Sequence, residues 1–471
     1  MLSDFLVNRI ESELLFTPNE GQTELLRKLA AFLIKQEDNK LFLLRGYAGT
    51  GKTSVIAALV RALHKLRQKT VLLAPTGRAA KVIAAYSGFP AYTVHKQIYR
   101  QKSMGEDSFS LSYNSAQDTV FIVDEASMLS NTRGENSAFG SGCLLDDLLQ
   151  YVFSGRNCSL ILIGDDAQLP PVGQTDSPAL NEEWLRGYGI DLTCHTLTQV
   201  ARQALESGIL SNATMLRQRL QEGKVDSLPV FQTDQYNDIR HLSGSDMTEE
   251  IERAYREAGI EETMIVTRTN RRMNLYNQGI RARILWKEEE VTGGDRLMVT
   301  KNNYYWTKQY EGIDFLANGD IFEAVRIRNI REIYDFRFAD ASLKAVDYDW
   351  EIDAVIWLDT LFTNSPDEAY RMQRELFSRI AEDYPEIRTK KELVKTIMDN
   401  PYYNALQVKH AYAVTCHKAQ GGQWKRVFID QGTITEELLG TDYYRWLYTA
   451  LTRATEQVYL INFPKKQHTN K

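Results

Sequence analysis

The sequence predicts an α/β protein built on parallel β-sheets, and three observations carry that prediction. Apolar runs of strand length, "LFLLRG" (41–46), "TVLLAP" (70–75), "TVFIVDEA" (119–126) and "SLILIGDD" (159–166), alternate with helical patterns. A glycine-rich turn joins the first of them to an amphipathic helix. The same grammar returns in "TMIVTRTN" (263–270), "RVFID" (426–430) and "QVYLIN" (457–462), which indicates a second α/β layer assembled from separated pieces of chain. Continuous apolar strands of this kind are buried on both faces, which antiparallel sheets with one wet face do not require.

Taken in order, the chain divides into three regions. Residues 1–190 hold the first α/β domain, and residues 191–290 with 405–471 hold the second. Residues 291–404 form an insertion in that second domain. Within it, 291–350 carries Asn-Gly and Gly-Asp turns between short alternating strands, which reads as a small antiparallel barrel or sheet. Residues 364–404 switch to charged, helix-forming sequence.

Composition narrows the function classes. With 471 residues, several cores are expected rather than one. Hydrophobic residues make up 43% and charged residues 25%, the balance of a soluble globular protein. No apolar run approaches the ~20 residues needed to span a bilayer, and "MLSDFLVNRIESELLFTP" lacks the basic-then-apolar order of a signal peptide. Cys143, Cys158, Cys194 and Cys416 are far apart, so neither a zinc site nor a disulfide framework is indicated, and a reduced, cytoplasmic setting is expected. The net charge of −6 gives no global positive field, so any nucleic-acid site must be a local groove.

The turn is the most informative stretch. Gly46-Tyr47-Ala48-Gly49-Thr50-Gly51-Lys52-Thr53 fits G-x-x-x-x-G-K-[ST] between a strand and a helix. Its glycines let backbone N–H groups close around a phosphate, the helix N-terminus adds its dipole, and Lys52 reaches the β- and γ-oxygens of a nucleotide. Thr53 supplies a hydroxyl to Mg²⁺. Asp124 and Glu125 close an apolar strand, where Asp124 can hold the metal and Glu125 can orient and deprotonate water.

Five further stretches occur in a telling order: "APTGRAAK" (74–81), "TVHKQ" (93–97), "GDDAQLPPVG" (164–173), "TCHKAQGGQW" (415–424) and "YTALTRA" (448–454). Together they resemble the helicase motifs of superfamily 1, and most of all its B-type, RecD-like and Dda-like branch, the Pif1-like group. The resemblance runs from about residue 17 to residue 462. It implies two RecA-like P-loop domains, an inserted SH3-like β-barrel, and an ATP- and Mg²⁺-dependent DNA helicase moving 5′→3′. By residue, it makes Gln22 the adenine reader, Gln168 the γ-phosphate sensor, and Arg202 and Arg453 the arginines that reach the γ-phosphate. Gln420 and Gly421 join the nucleotide site.

Pro75, Thr76, Arg78 and Lys81 fall on a strand-to-helix loop, and His95-Lys96 and His417-Lys418 form two similar pairs, one in each α/β domain; nucleic acid is expected on both, the other reading of each histidine being a ring that satisfies a buried carbonyl. Such loops offer backbone N–H groups and cations to phosphates without reading sequence. A strand-separating pin is expected at about 99–118, with Phe109 or Tyr113 stacking on a base at the duplex fork. The partner is therefore DNA, with RNA still open, and the motor is read as a monomer working in replication, recombination or repair. Two other readings keep the phosphate site. One is an ATP-dependent switch protein that does not translocate. The other is a motor subunit of a RecD-like repair complex.

Overall fold

The computed structural model describes residues 2–101, 109–133, 139–200, 206–310, 313 and 315–468. The chain forms two compact units, Met1–His241 with Ala419–Lys425 and Thr433–Lys471, and Leu242–Lys418 with Arg426–Gly432.

In the first unit a six-stranded sheet runs, in spatial order, Ala91–Thr93, Lys69–Ala74, Thr119–Val123, Ser159–Gly164, Lys40–Gly46 and Asp191–Leu197. Every pairing is parallel. The three central strands are buried almost throughout, as their unbroken apolar runs require. One face packs on a cluster that includes Leu25, Leu29, Phe42, Ile56, Leu59, Ile122 and Ile161. The edge strand Asp191–Leu197 pairs Lys40 with Asp191 through Gly46 with Leu197, so the first sheet extends past residue 190, where the sequence reading ends that domain. Likewise 419–425 and 433–471 group with the first unit rather than wholly with the second.

Because the strands are parallel, their carboxyl ends share one edge. Three neighbouring strands there finish at Gly46, Val123 and Gly164, so the phosphate loop, Asp124 and Asp165 emerge side by side.

In the second unit Ala413–Thr415 and residues 426–430 flank Thr263–Thr267, each running parallel to it. A closed five-stranded barrel is built from Arg296–Val299, Ile321–Ile333, Phe336–Ala345, Glu351–Trp357 and Leu406–His410. The barrel thus continues past residue 350, and its closing strand comes from beyond residue 404. Closure needs that strand because four would leave an unpaired edge. The helices Pro366–Ala381 and Lys390–Met398 bury Leu376, Ile380 and Ile397 against Phe336, Phe338, Val355 and Trp357, so the charged segment braces the barrel wall. The aromatic run 301–310 serves the same junction. Trp306 Nε1 donates to Asn404 O at 2.8 Å, and the Tyr310 hydroxyl accepts from the Asp353 N–H at 2.9 Å.

Candidate nucleotide site

The phosphate loop leaves its strand at Gly46 and enters the helix Lys52–Lys65. Gly49 and Gly51 take φ of 74° and 83°, a left-handed backbone that side chains resist. A Cβ on Gly51 would lie 2.6 Å from Gln22 Nε2, so glycine there also admits the neighbouring helix. That helix, Glu20–Ile34, opens with a capping box in which Asn19 Oδ1 accepts from the Gln22 N–H and Gln22 Oε1 accepts from the Asn19 N–H. Gln22 Nε2 donates to Thr50 O at 3.0 Å. The glutamine expected to read adenine therefore also buttresses the loop.

Lys52 lies within the loop's turn. Its ammonium donates to Gly46 O and Tyr47 O and sits 3.9 Å from Asp165 Oδ2. Asp165 is buried. It accepts from the Ala167 N–H at 3.0 Å and from the Tyr448 hydroxyl at 2.6 Å. Burial pushes its carboxyl up to about 6, while the charge of Lys52 and the Tyr448 bond pull the other way.

At the next strand end Asp124 is raised as well, first by burial and then by the charge of Glu125; Lys52 and Arg453 oppose both. Asp124 Oδ1 accepts from the Glu125 N–H at 2.9 Å, and Glu125 takes φ 52°, an unusual backbone for a non-glycine residue. Arg453 Nη1 stands 3.8 Å from Glu125 Oε1. The arginine is only 3% exposed, and Thr449 O, Gly422 O and Thr452 Oγ1 accept N–H groups of its Nε, Nη1 and Nη2.

Thr53 and Asp124 fit Mg²⁺ by chemistry: a hydroxyl and a carboxylate are hard oxygen donors, and this ion takes few protein ligands when phosphates share it. Among the described residues no group of three or more His, Cys, Asp or Glu side chains gathers to hold another metal.

Other expected residues fall elsewhere. Gln168 is buried beside Asp165, with its N–H donating to Asp165 O at 3.3 Å. Gln420 Nε2 donates to Leu169 O, and the left-handed Gly421 lets Ala79 and Thr76 approach. Thr76 caps the helix Gly77–Ser87, and Arg78 lies over the Trp424 ring and donates to Gln423 O at 3.1 Å. Pro75 sits between the strand and this cap, Lys81 and Lys96 are exposed, and the Lys96 ammonium stands 5.9 Å from the Tyr92 ring centroid. His95 is held neutral, its pKa lowered to about 4 by burial, and packs on Phe139 at 4.9 Å. Its partner pair belongs to the second unit, where His417 is exposed and Lys418 donates to Asn318 Oδ1. Arg202 lies outside the described residues.

The pin expectation needs correction. Residues 102–108 of the expected pin lie outside the described residues; on either side of them Tyr99–Gln101 pairs antiparallel with Phe109–Leu111, but Phe109 is 3% exposed and packs on Phe139 at 4.9 Å. A ring so enclosed is not presented to a base. Tyr113, at 87% exposure, is presented.

Sequence reasoning passed over Asp165 and Tyr448. Asp165 ends an apolar strand just as Asp124 does, which is the signal that could have found it. Tyr448 stands inside "YTALTRA", where only the arginine drew attention.

Against known proteins, residues 17–238 match the AAA domain family and residues 410–461 the UvrD-like helicase C-terminal domain. An uncharacterised protein of Acanthamoeba polyphaga mimivirus is 22% identical over 524 residues, covering 93% of this chain and 99% of that protein. The ATP-dependent RecD2 DNA helicase of Deinococcus radiodurans is 29% identical over 197 residues, covering 42% of this chain and only 24% of that protein. The crystal structure of Pif1 helicase from Bacteroides in complex with ADP-AlF3 and ssDNA is 14% identical, with 97% of this chain and 95% of that one covered and a TM-score of 0.47.

Proposed function

The chain belongs to the superfamily 1B helicases of the Pif1- and RecD-like group, and from that premise we propose an ATP-driven motor that moves 5′→3′ along single-stranded DNA and opens duplex forks. Replication, recombination or repair is its setting, inside the cell, and a single copy is the working unit. Among the described residues no helix is long and apolar enough to cross a membrane.

The observation that carries this reading is the convergence of Lys52, Asp124, Glu125 and Arg453 at the carboxyl edge of one sheet, with Arg453 3.8 Å from Glu125. Phosphoryl transfer asks little covalent chemistry of a protein and much electrostatic positioning. Lys52 would take the β- and γ-oxygens of ATP in place of its loop carbonyls. Glu125 would orient the attacking water and accept its proton, and Arg453 would stabilise charge as it spreads over the γ-phosphoryl oxygens. Mg²⁺, held by Thr53 and Asp124, would supply further charge neutralisation at the phosphates. Gln22 still has a second amide hydrogen and lone pair with which to take adenine's N7 and N6 edge. Pro75, Thr76, Arg78, Lys81, His95, Lys96, His417 and Lys418 are assigned to the DNA strand, His95 as a neutral hydrogen-bonding ring.

The test is steady-state ATP hydrolysis with and without a single-stranded oligonucleotide, with Lys52→Ala as the blank. Stimulation of about tenfold or more, worth roughly 1.4 kcal/mol in the barrier, is expected. Tailed duplexes then read polarity. A rate indifferent to DNA would favour the non-translocating switch.

A further inference from the structure

Beside the phosphate loop runs the helix Gly208–Gln221, which the mechanism above does not use. Leu210, Arg217 and Gln221 are spaced seven and four residues apart and so share a helix face. All three meet the loop. Leu210 Cδ1 lies 3.0 Å from where a Cβ on Gly49 would stand. Gln221 Nε2 donates to the Tyr47 hydroxyl at 2.7 Å, and the Arg217 guanidinium lies over the Tyr47 ring, 4.2 Å from its centroid.

Arg217 is 9% exposed, yet among the described residues no carboxylate pairs with it and Nε has no hydrogen-bond partner. Its bond from Nη1 to Thr198 O is long, at 3.4 Å. A guanidinium has five N–H donors, and burying it without an anion is costly. The ring face of Tyr47 offsets part of that cost and leaves the edge donors unanswered.

The surroundings say what would answer them. Arg217 and Tyr47 line a cavity of about 620 Å³ together with Gln168, Arg45 and Arg445, and with the carboxylates Asp166, Asp176, Glu182 and Glu183. Arg45 is neutralised by Glu182 and Arg445 by Asp176. Gln168 Oε1 is buried with no hydrogen-bond partner among the described residues. The wall thus presents a cation with no carboxylate partner among the described residues, set against the second residue of a loop built for phosphate.

We propose that Arg217 is a nucleotide-contacting residue whose guanidinium takes the terminal phosphate of a nucleoside triphosphate held by the loop. The proposal rests on the phosphate-site reading and adds a third arginine to the two that the family motifs mark. It forms no covalent bond. It makes the site discriminate triphosphate from diphosphate by a charge-assisted, planar contact that lysine reproduces only in part.

The experiment measures dissociation constants of the full chain, with Mg²⁺, for a fluorescent ADP and for a fluorescent β,γ-imido ATP analogue. Wild type, Arg217→Gln and Arg217→Lys are compared, each checked for a native melting transition. Arg217→Gln is expected to weaken the triphosphate analogue about tenfold and to leave ADP within about twofold, with Arg217→Lys intermediate. Equal weakening of both nucleotides would overturn the proposal, because Arg217 would then merely hold Tyr47 and the loop in shape. Unchanged affinities in both variants would overturn it too. If Arg217→Gln fails to melt cooperatively, Arg217→Lys alone decides by the same ratio. Wild-type protein that binds neither nucleotide would bring down the phosphate-site reading itself.

Discussion

The Tyr448 hydroxyl donates to Asp165 Oδ2 at 2.6 Å and accepts the Ala48 N–H at 2.8 Å, so one buried phenol joins the phosphate loop to the end of the neighbouring strand. Its helix, Thr441–Leu451, leads directly to Arg453. Next to the phenol, Thr449 Oγ1 accepts the Leu169 N–H at 2.9 Å. One turn of helix therefore reads the phosphate loop, the Asp165 loop and, through Arg453, Glu125. Tyr448→Phe keeps the ring and removes the bridge. Losing a buried hydrogen bond to a charged group costs about 1.5–3 kcal/mol. Urea denaturation should show a loss of that order, and hydrolysis should slow with it; a variant as stable as wild type would mean that the bridge contributes nothing net.

Asp165 makes a pH-dependent prediction. Its native pKa, pushed up to about 6, lies above the unfolded value of 3.8. The stabilising contribution is then complete below about pH 4 and is lost as pH rises through about 6. At neutral pH the fold carries a buried carboxylate beside Lys52 at a cost in stability. Asp165→Asn keeps one acceptor, for Tyr448, gives up the Ala167 N–H bond and removes the charge. Relative to wild type, its melting temperature should be higher at about pH 7.5 than near pH 4. An advantage independent of pH would refute the assignment.

How far the site could be read in the sequence depended on where each residue's constraint lies. Gly49, Gly51 and Lys52 are constrained by the loop's own geometry, so eight consecutive residues revealed them. Asp124 and Glu125 were legible because a strand must end somewhere and two acids ended this one. Arg217 was not legible: in "MLRQRLQ" it reads as an ordinary helix cation, and only the three-dimensional placement of Tyr47 shows what it faces. The burial of Phe109 was hidden for the same reason, since Phe139 stands thirty residues away and supplies the lid. The barrel's closing strand was missed because a helical pair separates it from its neighbours in sequence but not in the sheet.

For Arg453 the expected effect lies in chemistry rather than binding. An arginine at a phosphoryl transition state is worth on the order of 10³–10⁵ in kcat. Because three of its contacts are internal, Arg453→Ala would confound catalysis with loss of packing. Arg453→Lys keeps the charge and the stem but not the fork. Single-turnover hydrolysis should fall by about three orders of magnitude while nucleotide affinity holds. A proportionate loss of affinity would make the residue structural.

In the second unit, Asp295 is fully buried, and Arg281 holds it with two hydrogen bonds, at 3.0 and 2.9 Å. Lys287 at 3.0 Å, the Thr292 N–H at 2.7 Å and the Tyr412 hydroxyl at 2.9 Å also donate to it. Burial alone would raise this carboxyl, but the bonds from Arg281 and Thr292 hold it down at about 2. Asp295→Ala strands two cations, one of them buried, and should cost about 3–5 kcal/mol. Chemical denaturation measures it; a loss under about 1 kcal/mol would mean that water reaches and solvates Arg281.

The hairpin separates packing from function in two aromatic residues. Phe109→Ala empties a buried site against Phe139 and should cost about 3–5 kcal/mol if the hairpin melts with the rest of its unit, or appear as local protease sensitivity if it melts alone. Tyr113 is exposed, so Tyr113→Ala should leave stability within about 0.5 kcal/mol of wild type. If its ring stacks at the fork, an interaction worth about 1–3 kcal/mol per base, the variant should unwind forked duplex several-fold more slowly while its single-strand-stimulated ATP hydrolysis is unchanged. Equal loss of both activities would place Tyr113 on the translocating strand, and no loss of either would remove it from the DNA path.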